Sequence, residues 1–161
     1  MAPLVRPFEP VDQEAVVALV VGIQQREFGI AITAAEQPDL LDVPGHYQRG
    51  AGNFWVALDG GAVVGTIGLL DIGSGDSALR KMFVAPQFRG ASPGVAAALL
   101  ETCLQWARRH AIRRVLLGTT EPFKAAHRFY EKAGFARLAS ADLPGHFPRM
   151  RLDTRFYTRA P

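Results

Sequence analysis

The residues best equipped for chemistry sit in one loop between two regular segments. In Lys81-Met82-Phe83-Val84-Ala85-Pro86-Gln87-Phe88-Arg89-Gly90-Ala91-Ser92-Pro93-Gly94-Val95-Ala96 an apolar strand ends at a proline, an Arg-Gly turn follows, and an apolar helix begins. That order aims loop and helix-start N–H groups at one point, where the helix dipole also favours negative charge. A phosphorylated ligand suits such a site. Two familiar phosphate loops do not fit. A P-loop needs Lys followed by Ser or Thr after its last glycine, and here Val95-Ala96 follows Gly94. A dinucleotide fingerprint needs G-x-G-x-x-G and an acid closing the next strand, where Leu117-Gly118-Thr119 stands instead.

A second chemistry-bearing run is Ala126-His127-Arg128-Phe129-Tyr130-Glu131-Lys132-Ala133-Gly134-Phe135. Ala126, Phe129, Tyr130 and Ala133 share one helical face, and Gly134 closes the helix. A tyrosine of ordinary pKa, about 10, is protonated at neutral pH and can donate that proton. The acidic candidates for taking a proton from a substrate are Glu27, near the end of the first helix, and Asp71, at the end of the third strand, and the sequence singles out neither. Cys103 lies mid-helix in an apolar stripe, as an inert buried thiol would. The histidines at 46, 110, 127 and 146 lack metal-ligand spacing, so no metal site is expected.

These groups need a scaffold, and the pattern of the chain describes one. Leu4–Phe8 reads as a strand, and Asp12 as the cap of a helix carrying Val16, Val20, Ile23 and Glu27. The stretch 28–52 is broken by Pro38, Pro44, Gly45 and Gly50, with a short helix near Gln37–Leu41; it reads as a lid or substrate-side segment. A meander follows: Phe54–Leu58, Ala62–Leu70 and Ala78–Val84, joined by glycine turns. Gly94–His110 is an amphipathic helix, Arg113–Leu117 a buried strand, and Phe123–Ala133 a helix led by Thr120-Glu121-Pro122. Phe135–Ala139 and Arg149–Tyr157 read as final strands, the latter alternating Met150, Leu152 and Phe156 with Arg149, Arg151, Asp153 and Arg155. Trp55 and Trp106 read as packing residues, and Arg80 and Lys81 as solvated strand-start charges that lean toward an acidic acceptor.

The bulk properties agree with one globular domain spanning 1–161, 48% apolar and 20% charged. No apolar run reaches the ~20 residues of a membrane span, and no basic stretch leads into an apolar core at the start, so no membrane is expected and the location reads as cytoplasmic. A lone cysteine excludes an internal disulfide. The net charge of +3 is too mild and scattered for nucleic acid.

Arg89 with Gly94, Val95 and Ala96 resembles the Q/R-x-x-G-x-G/A acyl-CoA signature of the GNAT N-acetyltransferase superfamily, though two residues longer between its glycines. The run from Ala126 to Phe135 resembles that family's A-x-x-[LF]-Y-E-K-x-G-F segment. The resemblance implies an α/β fold: a mixed, mostly antiparallel sheet flanked by helices, its parallel fourth and fifth strands splayed at the cofactor site. It implies acetyl-CoA as co-substrate and direct acetyl transfer to the primary amine of a small molecule or peptide; the sequence leaves monomer and homodimer equally open. Met82, Phe83 and Val84 would pair with the pantetheine arm. Phe88, Arg89, Gly90, Gly94, Val95 and Ala96 would hold the pyrophosphate, and Tyr130 would protonate the departing thiolate. Phe123 stands where the family often has an asparagine. The rival readings are a module that binds and senses acyl-CoA without turnover, and a nucleotide-binding enzyme.

Overall fold

The computed structural model describes residues 3–90, 94–121 and 123–161. Their strands join in one seven-stranded sheet of order β1-β2-β3-β4-β5-β7-β6. The strands are β1 Leu4–Pro7, β2 Asn53–Asp59, β3 Ala62–Gly73, β4 Asp76–Val84, β5 Arg114–Thr119, β6 Ala136–Leu138 and β7 Arg155–Arg159. The helices are α1 Gln13–Gly22, α2 Pro38–Leu41, α3 Val43–His46, α4 Val95–Arg109 and α5 Lys124–Lys132. β1 to β4 form the antiparallel meander, β5–β7 and β7–β6 are antiparallel, and β4–β5 is parallel.

Alternation along β2 sorts the two faces. Trp55 and Ala57 pack with Leu99, Cys103 and Leu104 of α4 and with Tyr130 of α5. Phe54 and Val56 pack with Val16 and Val20 of α1 and with Leu40, Val43 and Tyr47. A smaller cluster of Ala78, Leu116, Leu143, Phe147 and Phe156 seals the far end of the sheet. Period-two strands with the amphipathic α4 and α5 on one face and the apolar α1 on the other dictate this layering. Trp106 adds a tie, donating its indole N–H to Ala51 O at 2.8 Å.

Three expectations are corrected. Arg149–Tyr157 is not one strand: β7 starts at Arg155, and 149–154 forms a turn in which Asp153 accepts the Met150 N–H at 2.9 Å. Asp12 does not cap α1 with its side chain; its carboxylate accepts from Arg6 and from the Glu9 N–H, at 2.8 Å each. Thr120 does not cap α5, whose N-cap is Phe123, and its hydroxyl is buried without a partner among the described residues. α1 also runs on through a π-helical turn, Ile23–Glu27. No described helix is long and apolar enough to cross a membrane.

Candidate active site

β4 and β5 pair only from Asp76–Ala78 to Arg114–Leu116. Beyond that, β4 runs on to Val84 against β3 alone, and β5 runs on to Thr119 against β7 alone. The two strands form a V, closed at Asp76 and open at Val84. From Leu79 onward one edge of β4 therefore has no strand beside it among the described residues. Backbone polar groups on such an edge demand a partner, and an extended ligand can supply it. Met82, Phe83 and Val84 lie on this stretch, and Arg89 Nε already donates to Val84 O at 2.8 Å.

α4 begins at the mouth of the V. Its N-cap, Gly94, has φ +74°, a left-handed conformation that glycine adopts without penalty, and its carbonyl accepts the Ala98 N–H at 3.0 Å. The first-turn N–H groups at Val95 and Ala96 have no partner within the helix, so they are donors for an anion. Gly65 on β3 lets this turn approach: a Cβ there would stand 2.9 Å from Leu99 and 3.1 Å from Val95. Gly90 has φ +118°, a region essentially closed to other residues. Phe88 packs its ring on the α4-side core. The Ala91-Ser92-Pro93 part of the expected loop lies outside the described residues.

Arg89 was expected to hold the pyrophosphate and Glu27 to serve the acceptor, yet the two form a bidentate pair, with Nη2 to Oε2 at 2.8 Å. The pair ties the π-helical turn to the exit of β4. The guanidinium holds the Glu27 carboxyl below its ordinary range, which makes Glu27 a poor base for an ammonium. Asp71 is at the closed end of the sheet, accepting the N–H groups of Ala51 and Gly73 at 2.9 Å each. Neither carboxylate lines the cleft described next.

In the V, on the α1 side, lies a cleft of about 190 Å³ lined by Gln24, Arg80, Lys81, Phe83, Phe123 and Asp153 among others. A second hollow of about 360 Å³ adjoins it, sharing Ile30, Thr120, Phe123, Arg151 and Leu152. Asp153 enters because β5 has a glycine opposite it; a Cβ on Gly118 would stand 2.5 Å from the carboxylate. Burial pushes the Asp153 carboxyl above its ordinary range, with the Met150 N–H and then Arg80 pulling the other way. Asp153, Gln24 and the true surroundings of Lys81 were not foreseen; the glycine at 118 was the one available signal for the first.

Tyr130 is buried on the opposite face, 5.6 Å from the Phe135 ring and 6.2 Å from Tyr157. Its hydroxyl has no hydrogen-bond partner among the described residues, and burial, with Cys103 nearby, pushes its pKa well up. It keeps its proton at neutral pH. The Cys103 thiol is likewise pushed up to about 12 by burial. His127 is buried, with Nε2 2.8 Å from Thr120 O.

A sequence model of the acetyltransferase (GNAT) family matches residues 19–135. The fold of an acetyltransferase of the GNAT family from Staphylococcus aureus Mu50 superposes with a TM-score of 0.93, at 33% identity over 99% of both chains. An acetyltransferase from Streptococcus agalactiae 2603 gives 0.93 at 31% identity, covering 100% of this chain and 99% of that one. N-acetylaspartate synthetase of Danio rerio is 34% identical over 131 residues, 78% of this chain and 45% of that protein. The chain spans less than half the length of the curated relatives it matches. The V-shaped sheet, the glycine-led helix and the Tyr130 segment thus have their explanation: this chain belongs to the acetyltransferase (GNAT) family.

Proposed function

We propose that this protein transfers the acetyl group of acetyl-CoA directly to a primary amine. The observation that carries the reading is the uncovered edge of β4 beside the glycine-led start of α4. Backbone groups of Met82, Phe83 and Val84 pair with the pantetheine arm. N–H groups at Gly90, Gly94, Val95 and Ala96 hold the pyrophosphate, with Phe88 beside it and Arg89 fixing the loop through Glu27 and Val84. Acetyl-CoA brings an activated acyl group on a thiolate that leaves readily.

The chain's residues orient the reactants and move protons. A β4 backbone N–H at the open edge donates to the thioester carbonyl oxygen, where negative charge grows. Asp153, the one carboxylate lining the cleft among the described residues, takes the ammonium proton directly or across a water; its raised pKa makes it a stronger base than a surface carboxylate. As the N–C bond forms and the C–S bond breaks, Tyr130 gives its proton to sulfur, and the second proton that the nitrogen sheds on becoming an amide restores the Tyr130 phenol through solvent. No step calls for a metal. A lone unpaired cysteine suits a cytoplasmic setting. The test is release of free CoA thiol from acetyl-CoA across a panel of primary amines. Amine-dependent release with N-acetyl product is expected, and CoA binding with no turnover on any amine would leave only a binding module.

A further inference from the structure

Lys81 departs from regular strand geometry, with φ +52°, a left-handed conformation at a residue that is not glycine. β3 and β4 slip by one residue between the pairs Thr66↔Phe83 and Gly68↔Arg80, and Thr66 Oγ1 donates to Lys81 O at 2.7 Å to hold the bulge. A backbone strained in this way persists where surrounding structure enforces it. Its consequence is directional. Consecutive side chains of a flat strand point to opposite faces, but the bulge brings both Arg80 and Lys81 to the lining of one cleft.

The lysine is built in rather than solvated. Its side chain is 7% exposed, and Nζ donates to Gln37 Oε1 at 2.7 Å and stands 3.6 Å from Asp39 Oδ2. Gln37 is fixed by a reciprocal amide pair with Gln24 at 2.8 and 3.1 Å, and Asp39 by the Tyr47 hydroxyl at 2.6 Å. An ammonium has three N–H donors, and the chain's own acceptors saturate only part of that capacity. At the rim, exposed Arg151 lines both hollows and makes no ion pair with another described residue. Asp39 offsets Lys81, and Arg155 offsets Glu121 of the adjoining hollow, which leaves Arg80 and Arg151 in excess over the cleft's one carboxylate, Asp153. A polycationic amine is repelled there, while an anionic group is drawn to the inner, desolvated end, where it counts most.

On the acetyl-transfer reading, we propose that the acceptor is an amine carrying its own carboxylate, an amino acid or a molecule with that grouping. Lys81 and Arg80 hold the carboxylate at the base of the cleft and Arg151 closes over it.

The full chain is assayed for thiol release from acetyl-CoA with glycine, aspartate, glutamate and phenylalanine, with the form of each in which every carboxylate is a carboxamide, and with spermidine. The carboxamides have more nucleophilic amine at a given pH because their amines are less basic, so a preference for the acids cannot come from amine protonation. The acids are expected to lead in kcat/KM by about tenfold or more, the weight of one charge-assisted hydrogen bond. Lys81→Met and Arg151→Ala are each expected to raise KM for the acids with little change in kcat and to leave the carboxamides unmoved. Arg151 is exposed, so its variant keeps the test sound should Lys81→Met fail to fold. Equal or faster turnover of carboxamides or spermidine, or an unmoved KM for the acids in the folded variants, overturns the inference while acetyl transfer stands. Absence of CoA binding by calorimetry overturns the acetyl-transfer reading and this inference together.

Discussion

Asp76 and Arg114 face each other across the parallel strand pair, with Oδ1 accepting from Nε at 2.6 Å and Oδ2 from Nη2 at 3.1 Å. His146 Nε2 lies 2.9 Å from the same Oδ2, binding the segment before β7 to the joint. This clamp closes the V at one end, and the opening at the other follows from where pairing stops. The hydrogen bonds from Arg114, and then from His146, hold the Asp76 carboxyl below its ordinary range. A depressed carboxylate pKa contributes stability above the unfolded value of about 3.9, and the contribution fades as pH falls through the folded value. Asp76→Asn should therefore cost about 1–2 kcal/mol near neutral pH. Thermal melts across acid to neutral pH should show the gap between the two proteins shrinking below about pH 3.9. A gap that does not vary with pH contradicts this account of the clamp.

Tyr130→Phe keeps the ring and its packing against Phe135 and Tyr157 but removes the proton. A fall in kcat of roughly 10²-fold is expected, with unchanged affinity for CoA by calorimetry. The raised pKa puts no alkaline limb from Tyr130 below its ordinary value of about 10 in the wild-type profile. Turnover equal to wild type would return Tyr130 to a packing role.

Asp153 must be ionised to accept a proton, and burial sets its pKa above the usual carboxylate range. The kcat/KM profile should fall on the acid side at a pH above about 3.9, and Asp153→Asn should lose that limb along with roughly 10²-fold in rate. Retention of both limb and rate in the variant assigns the proton elsewhere.

Cys103 should stay out of the chemistry. With its thiol pushed up to about 12 and no exposed surface, it should resist iodoacetamide in the folded protein at pH 8, and Cys103→Ala should keep its turnover. Trapping of an acetylated Cys103 during turnover would overturn direct transfer.

The sheet was legible because its strands and helices carry clean periods. The stripe of Val95, Leu99, Cys103 and Trp106 marks α4, and Asp59-Gly60-Gly61 marks the first hairpin. The region 149–153 was misleading for a physical reason. Met150 and Leu152 alternate with charges as a strand would, but they belong to a turn over the cleft that Asp153 ties to the Met150 N–H. Lys81 was opaque for another: a bulge depends on the register of the neighbouring strand, and nothing in Arg80-Lys81-Met82 records that slip. Glu27 and Arg89, 62 residues apart, each looked like a free functional group, and only tertiary structure makes them partners.

Isothermal titration of the purified chain with acetyl-CoA tests the central claim most directly, with Gly94→Val titrated beside it. One molecule bound per chain is expected. The variant, forced to hold a β-branched residue at φ +74°, should bind at least tenfold more weakly, in line with a backbone cost of about 1–2 kcal/mol. No detectable binding by the wild-type chain, or equal affinity in a variant that remains folded, would contradict the account.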